Sequence, residues 1–341
     1  MFKNGIPPTI NWSSGGGGGG GGSGSGPGTQ ANVNNAYFWN GAAGSSSRIG
    51  GGSKSNVIDF FDRTSSGVAA ATDRGDDIST QGGARGCHDA NKAYRMGKCG
   101  TSSFNSTNIA YIDLTVDNTN AVDSYDLGTY SYKRGYAALN GPVYGYCQGV
   151  LGVVQYMTLA NMTGNTSSAG TLSFATYGTQ GVSNTTYGHI LAGWDEQDYG
   201  KEVEWTNRSA VDYIDVTTTS TNGTNRMNMF LARRLCGTIS GGAYGFVCGG
   251  VISSGDSELT GTGTNAIEFF DNSTNSGAAS DRSDLSVAMD DLMSNNDSQG
   301  FSHGLVGTGS TVDRLDMVTA SADAVDRGDR TIDNKYATCA N

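Results

Sequence analysis

Charge is scarce in this chain. Asp, Glu, Lys and Arg make up 16% of its 341 residues, where an ordinary globular domain has about a quarter. Glutamate is nearly missing. It stands only at positions 196, 202, 204, 258 and 268, so 27 of the 32 acidic residues are Asp. With Leu, Glu and Lys all sparse, a helix-rich architecture is excluded. Proline occurs 4 times, which excludes collagen and proline-rich spacers. No apolar run reaches the roughly 18 residues of a membrane-spanning helix. Residues 1–14, MFKNGIPPTINWSS, lack the apolar stretch of a secretory signal. The 6 Cys are too few for a disulfide scaffold. Acids outnumber bases 32 to 21, a net charge of −11. Nucleic acid and anionic membranes are therefore not expected as partners, because both call for clustered Lys and Arg.

What is there points the other way. Gly occurs 53 times and hydrophobic residues make up 36%, enough apolar content for a folded chain at this low charge. Gly, Ser, Thr, Asn and Asp break helices and make turns. The composition reads as all-β with many short strands. Residues 15–28, GGGGGGGGSGSGPG, are a flexible segment. The expected organisation is an N-terminal head over 1–14, a Gly/Ser-rich linker over 15–35 and one folded unit over 36–341. The head carries Ile6, Ile10 and Trp12, apolar residues suited to an extended anchor peptide.

The folded unit repeats. Runs of β-branched and aromatic residues recur as Val57-Ile58-Asp59-Phe60-Phe61-Asp62, Ile109-Ala110-Tyr111-Ile112-Asp113 and Val154-Gln155-Tyr156-Met157-Thr158. They return as Val211–Asp215, Ile267–Asp271 and Val312–Asp316. The anchors 58, 109, 154, 211, 267 and 312 are spaced by 51, 45, 57, 56 and 45. A period of about 50 with short strands is the mark of propeller blades. A Gly-rich aromatic strand precedes each run, as in Tyr187–Gly193 and Tyr244–Gly250. An Asp-Arg-x-Asp element follows, at 73–76, 281–284 and 326–329, with a looser copy at 123–126 and no clean copy in the third and fourth repeats. Then comes an inner-strand segment, Arg85-Gly-Cys-His or Arg234-Leu-Cys-Gly. The C-terminal Lys335–Asn341 matches that inner segment, so it should complete the blade begun by Tyr37 to about Thr80. The expectation is a six-bladed β-propeller, closed by the C-terminal strand in the N-terminal blade, with an extended Gly-rich N-terminal arm.

These repeats resemble kelch repeats. The order of Arg-Gly segment, aromatic double-Gly strand (Tyr244–Gly250) and Ile267–Asp271 strand matches theirs over residues 36 to 341. The regularly placed outer-strand Trp of kelch is missing, since Trp stands only at 12, 39, 194 and 205. The Asp-x-Gly/Ser-Asp element in its place is similar to kelch-like tandem repeats encoded by tailed bacteriophages of aquatic bacteria. That resemblance implies a virion structural or fibre-associated protein.

Chemical motifs are few. His88, His189 and His303 have no paired ligand spacing, and His189 and His303 sit on equivalent Gly-rich strands. No motif joins Tyr, Cys and two His in the manner of the kelch-type copper oxidases, and no sialidase box is present. The Gly run at 15–22 lacks the Lys and helix of a phosphate loop. Arg-Gly-Asp at 74–76 and 327–329 reads as two copies of one turn, because Arg282-Ser283-Asp284 fills the same slot. Cys87/Cys99 and Cys236/Cys248 could form cross-strand disulfides if their Cβ atoms face each other, although buried free thiols suit the pattern better. No metal or other cofactor is expected.

One loop stands apart. Residues 194–208, WDEQDYGKEVEWTNR, hold Trp194, Tyr199 and Trp205 and five acids against Lys201 and Arg208. Aromatics and charge on a rigid scaffold's loop suggest a contact surface. The expected function is a non-enzymatic virion component: a capsid decoration, neck or tail-fibre/baseplate protein on the phage particle. It would dock to other virion proteins through the head and present the propeller to a protein or a host surface. The rival readings are a glycan-binding adhesin and, third, an oxidising or carbohydrate-active enzyme.

Overall fold

The computed structural model describes residues 35–43, 53–62, 71–81, 85–89, 91–98, 106–116, 120–128, 137–148, 152–160, 164–174, 178–191, 193–194, 207–241, 243–252, 262–289, 293–294, 303–308, 311–317, 323–329 and 338–340. Apart from a 3-10 turn at Gly152, the regular structure among them is β. The first sheet starts with β1 (Asn35–Ala43), β2 (Ser53–Asp62) and β3 (Thr72–Gln81). The second comprises β4 (Arg85–His88), β5 (Lys92–Lys98), β6 (Ser106–Asp113) and β7 (Val122–Asp126). The third has β8 (Ala138–Asn140), β9 (Tyr144–Gln148), β10 (Val153–Thr158) and β11 (Ser167–Thr171). The fourth has β12 (Gln180–Ser183), β13 (Tyr187–Leu191), β14 (Ala210–Asp215) and β15 (Thr224–Asn228). The fifth has β16 (Gly237–Gly241), β17 (Tyr244–Cys248), β18 (Thr264–Asp271) and β19 (Ser280–Met289). The sixth has β20 (Met293–Ser294), β21 (His303–Thr308), β22 (Thr311–Asp316) and β23 (Val325–Asp329). The last strand, β24 (Thr338–Ala340), joins the first sheet beside β1, with Phe38 opposite Cys339.

Five of the four-stranded sheets are thus consecutive antiparallel meanders, and one combines both ends of the described chain. The arrangement is that of a β-propeller. The first strands meet one another at its centre: β4 against β8, β8 against β12, β12 against β16, β16 against β20, and β24 against both β20 and β4.

The apolar core lies between sheets. Val154, Tyr146 and Leu139 of the third sheet pack on Ile190, Ile214 and Val216 of the fourth. Val182, Leu191 and Val211 of the fourth pack on Val247 and Phe270 of the fifth. A further cluster joins Phe38, Phe61 and Ala71 of the first sheet to Leu305 and Val312 of the last. Both faces of each sheet are therefore covered, and a polar residue in mid-strand is buried as surely as an apolar one. Backbones also come close at the centre: a Cβ on Gly181 would stand 2.3 Å from the Ala138 carbonyl oxygen, so only Gly fits there.

Three sets of polar contacts hold the seams. At the hub, side chains of one first strand accept from amides of the strand before it: His88 N donates to Asn140 Oδ1, Asn140 N to Ser183 Oγ and Ser183 N to Ser240 Oγ, at 2.9–3.0 Å. At the rim, the backbone of an outer strand meets the segment leading into the next sheet's outer strand at several seams, as in Ala121 N to Asp76 O and Ala324 N to Asp284 O.

The third set explains the Asp-Arg-x-Asp element. Each third strand meets its outer strand with a register shift at one repeated place, between Ile58 and Asp59, Ile267 and Glu268, or Val312 and Asp313. The extra residue of the bulge is Arg74, Arg282 or Arg327. A bulge re-aims its side chain, here toward the next sheet. Arg74 donates to the carbonyls of Asp113 and Val116, and Arg282 to that of Asp316. Gly328 beside Arg327 takes a positive φ of 120°, which accounts for a Gly in that slot. The fourth sheet has the same device without the sequence element: Arg226 is its bulge residue and donates to Asp271 O, Thr274 Oγ1 and Ser276 O. The apparent gap in the fourth repeat is thus a gap in the motif and not in the structure. Both Arg-Gly-Asp tripeptides hold their Arg buried in these seams.

Candidate contact platform

Opposite the bulge, each third strand carries a buried polar side chain: Asp59, Gln155, Asp212, Glu268 and Asp313, with Ala110 in the second sheet. They reach back to the preceding sheet. Asp212 accepts from Ser173 N and Ser173 Oγ, both at 2.6 Å. Asp313 accepts from Ser286 N and Oγ at 2.8 and 2.7 Å. Gln155 Oε1 accepts from Gly128 N at 2.9 Å. Burial pushes the carboxyls of Asp212 and Asp313 above the ordinary range, and the Ser173 and Ser286 donors pull the other way. Where Ala110 replaces the acid, Asp77 of the first sheet supplies one, 2.8 Å from Arg95 of β5 with both side chains fully buried.

The fourth-to-fifth seam elaborates this plan on the face that carries the loops between second and third strands. Glu268 there takes Phe230 N at 2.7 Å and Leu231 N at 2.9 Å, and pairs with the buried Arg233. Arg233 also donates to Gly249 O at 2.8 Å. Arg234 donates to Asn207 Oδ1 at 2.6 Å, and its backbone bridges to Val251. Asn207 Nδ2 closes the set on Val251 O at 2.8 Å. Leu235 follows at φ 54°, a left-handed backbone uncommon for a residue with a branched side chain. On this knitted backbone Phe230 stands 70% exposed and Ile252 39% exposed.

Trp194 belongs to the same platform, but as its packing. Its side chain is buried, with Gly178 against the ring and the Arg234 guanidinium 5.9 Å from the ring centroid. Trp194 also bridges to Asn207. The indole thus supports the loop base and is not offered to solvent. Tyr199 and Trp205 lie outside the described residues, as do Ile6, Ile10 and Trp12 of the head. Sequence reading missed Phe230, because one aromatic in a polar connection carries no periodic signal. Its rigid setting comes from Glu268, 38 positions away.

The remaining candidates are structural. His88 is buried, with its amide on Asn140. His189 is buried, and that burial together with the nearby Arg226 lowers its pKa to about 3. His303 lies at the start of β21, whereas His189 falls mid-strand in β13, so the two strands match but not the two positions. Cys87, Cys147, Cys236 and Cys248 are buried free thiols, and burial pushes those of Cys147 and Cys248 up to about 12. The Cys236–Cys248 disulfide is therefore not formed; Cys99 and Cys339 are outside the described side chains. No family model matches the chain, and no curated protein matches it.

Proposed function

We propose that this chain is a non-enzymatic structural component of a tailed-phage virion, a capsid decoration, neck or tail-fibre/baseplate protein. In this reading its six sheets are the blades of one closed propeller, sealed by β24 in the N-terminal blade. The head over 1–14 docks on the particle through the 15–35 linker, and the propeller presents its platform outward. The observation that carries the reading is Phe230. An exposed aromatic on backbone amides clamped by a buried carboxylate can engage a partner with little ordering cost. The closed ring is supported by the first-to-last seam. Ala71 N bonds to Asp329 O at 2.8 Å, and Arg327 lies 5.8 Å from the Phe61 ring centroid. The phage attribution rests on the repeat resemblance.

The test is incorporation into purified particles, scored by mass spectrometry. A chain lacking 1–28 should fold and fail to incorporate. Phe230→Ala should keep its unfolding free energy within about 0.5 kcal/mol, as exposed substitutions usually do, and lose the partner contact. Normal incorporation of the truncated chain sinks the anchor. Glycan-array binding that disappears in Phe230→Ala would replace the virion partner with a carbohydrate ligand.

A further inference from the structure

The outer strands share one contact that the fourth-to-fifth seam lacks. Opposite the residue just before each third-strand anchor stands Asp76, Asp126, Thr171, Asn228, Asp284 or Asp329. At four seams the segment leading into the next outer strand clasps that residue twice. Asp76 N donates to Asn120 Oδ1 at 3.0 Å, and Ala121 N donates to Asp76 O at 2.8 Å. Asn165 and Thr166 clasp Asp126 in the same way, Asn222 and Gly223 clasp Thr171, and Asp323 and Ala324 clasp Asp284. Each clasp is thus an Asx side-chain acceptor followed by the backbone donor of a short residue.

At the fourth-to-fifth seam the pair just ahead of β19 is Ala278 and Ala279. An alanine side chain has no acceptor. Met229 N turns back to Ser209 O at 2.7 Å, so the N–H and C=O of Asn228 point outward, as alternation along a strand requires. Among the described residues no hydrogen bond from the fifth sheet reaches either group. Space stands open beside the lead-in as well, since a Cβ on Gly277 would meet no atom within 4 Å. Two residues past Asn228, Phe230 takes the place of Ser173 and Ser286. All three amides are held by the acid of the next third strand. The serines turn their hydroxyls into the seam, whereas the Phe230 side chain stands 70% exposed. Residues two apart on an extended chain share a face about 7 Å apart. The open backbone pair and the exposed ring therefore belong to one place.

We propose that the edge of β15 at Asn228, with Phe230 beside it, docks an extended peptide of a partner protein. The peptide supplies in trans what four other seams supply from this chain: an Asn or Asp oxygen accepts from Asn228 N, and the backbone N–H of a short residue after it donates to Asn228 O. An apolar side chain following that pair covers Phe230. Main-chain pairing to an exposed edge gives the affinity, and the side-chain contacts give the selectivity. The proposal rests on Phe230 as a contact residue and names the kind of partner it meets.

The test is amide hydrogen exchange by NMR on the full chain. Corrected for sequence, Asn228 should exchange at least about tenfold faster than the clasped Asp76, Asp126, Thr171 and Asp284, whose bonds must first open. A synthetic peptide of residues 117–124, which carries Asn120, Ala121 and Val122, should slow Asn228 severalfold when added in excess. The same peptide with Asn120→Ala should not. Ala278→Asn, at an exposed position, should build the missing clasp from the chain itself, slowing Asn228 without peptide and removing the peptide's effect. Protection of Asn228 equal to the other four in the parent, no response to the peptide, or equal response to both peptides would overturn the proposal. If Ala278→Asn does not fold, the parent with the two peptides decides. Particles take no part in this experiment, so its failure leaves the virion reading standing, and failed incorporation leaves the peptide site standing.

Discussion

Asp212 receives both the amide and the hydroxyl of Ser173 from the sheet before it, at a position with no solvent exposure. Removing the carboxylate strands two buried donors, each costing about 1–3 kcal/mol. Asp212→Ala should therefore lose about 2–4 kcal/mol of unfolding free energy in urea, while Ser173→Ala should lose less, since its amide keeps its acceptor. A loss under 1 kcal/mol would mean that the seam does not depend on the clamp. His189 titrates in the opposite sense to the buried acids. Its folded pKa is about 3 against 6.5 for a free imidazole, so the unfolded chain takes the proton first. The stability that depends on neutral His189 is complete above pH 6.5 and is lost as pH falls from there toward 3. Burial and the Arg226 charge lower the value, while Asp271 and contacts to Asn272 and Thr274 oppose them. His189→Tyr has no such group, so the difference between its Tm and the parent's should shift in the variant's favour as calorimetry moves from pH 7 into that window. A constant gap would place the imidazole in contact with water.

The strands were legible because alternation and turn chemistry act locally. The Ile58, Ile109, Val154, Val211, Ile267 and Val312 anchors all lie in third strands of the sheets, where a β-branched residue packs well. What alternation hid was the fate of the polar partner. Asp59, Asp212, Glu268 and Asp313 sit where an ordinary half-buried strand would face water, yet a neighbouring sheet covers that face. The bulge Arg was visible only where Asp flanked it, so Arg226 between Asn225 and Met227 escaped. Its role depends on register, and register is a property of two strands. Arg282 tests the device. Its guanidinium covers Phe246 at 4.8 Å from the ring centroid and donates to Asp316 O of the next sheet. Arg282→Ala uncovers the ring and orphans that carbonyl, and should cost about 2–3 kcal/mol in chemical denaturation. Arg282→Lys should recover little of it, because a compact ammonium cannot both stack and fork. Full rescue by Lys would show that charge alone matters.

At the scale of the molecule, the seams repeat one economy: apolar packing between sheets, a carboxylate clamp, a bulged Arg and a hub of small polar side chains. None of these stabilises a sheet by itself, so each sheet depends on its neighbours. The first sheet is the exception in its making, since β1, β2 and β3 are joined by β24 from the far end of the chain. Without β24, β1 becomes an edge, with the backbone of Phe38 unpaired toward the hub where it now faces Cys339. Exposed edges pair with other chains. A chain ending at residue 337 should therefore unfold at lower urea, become protease-sensitive first within 35–43, and self-associate in light scattering at concentrations where the full chain is monodisperse. Adding a synthetic peptide of residues 335–341 in excess should reverse all three by mass action, since it binds only the folded chain. If the shortened chain kept its midpoint and stayed monodisperse, the terminal strand would be an ornament, and the first sheet would be held by Phe38, Phe61 and Ala71 against Leu305 and Val312 alone.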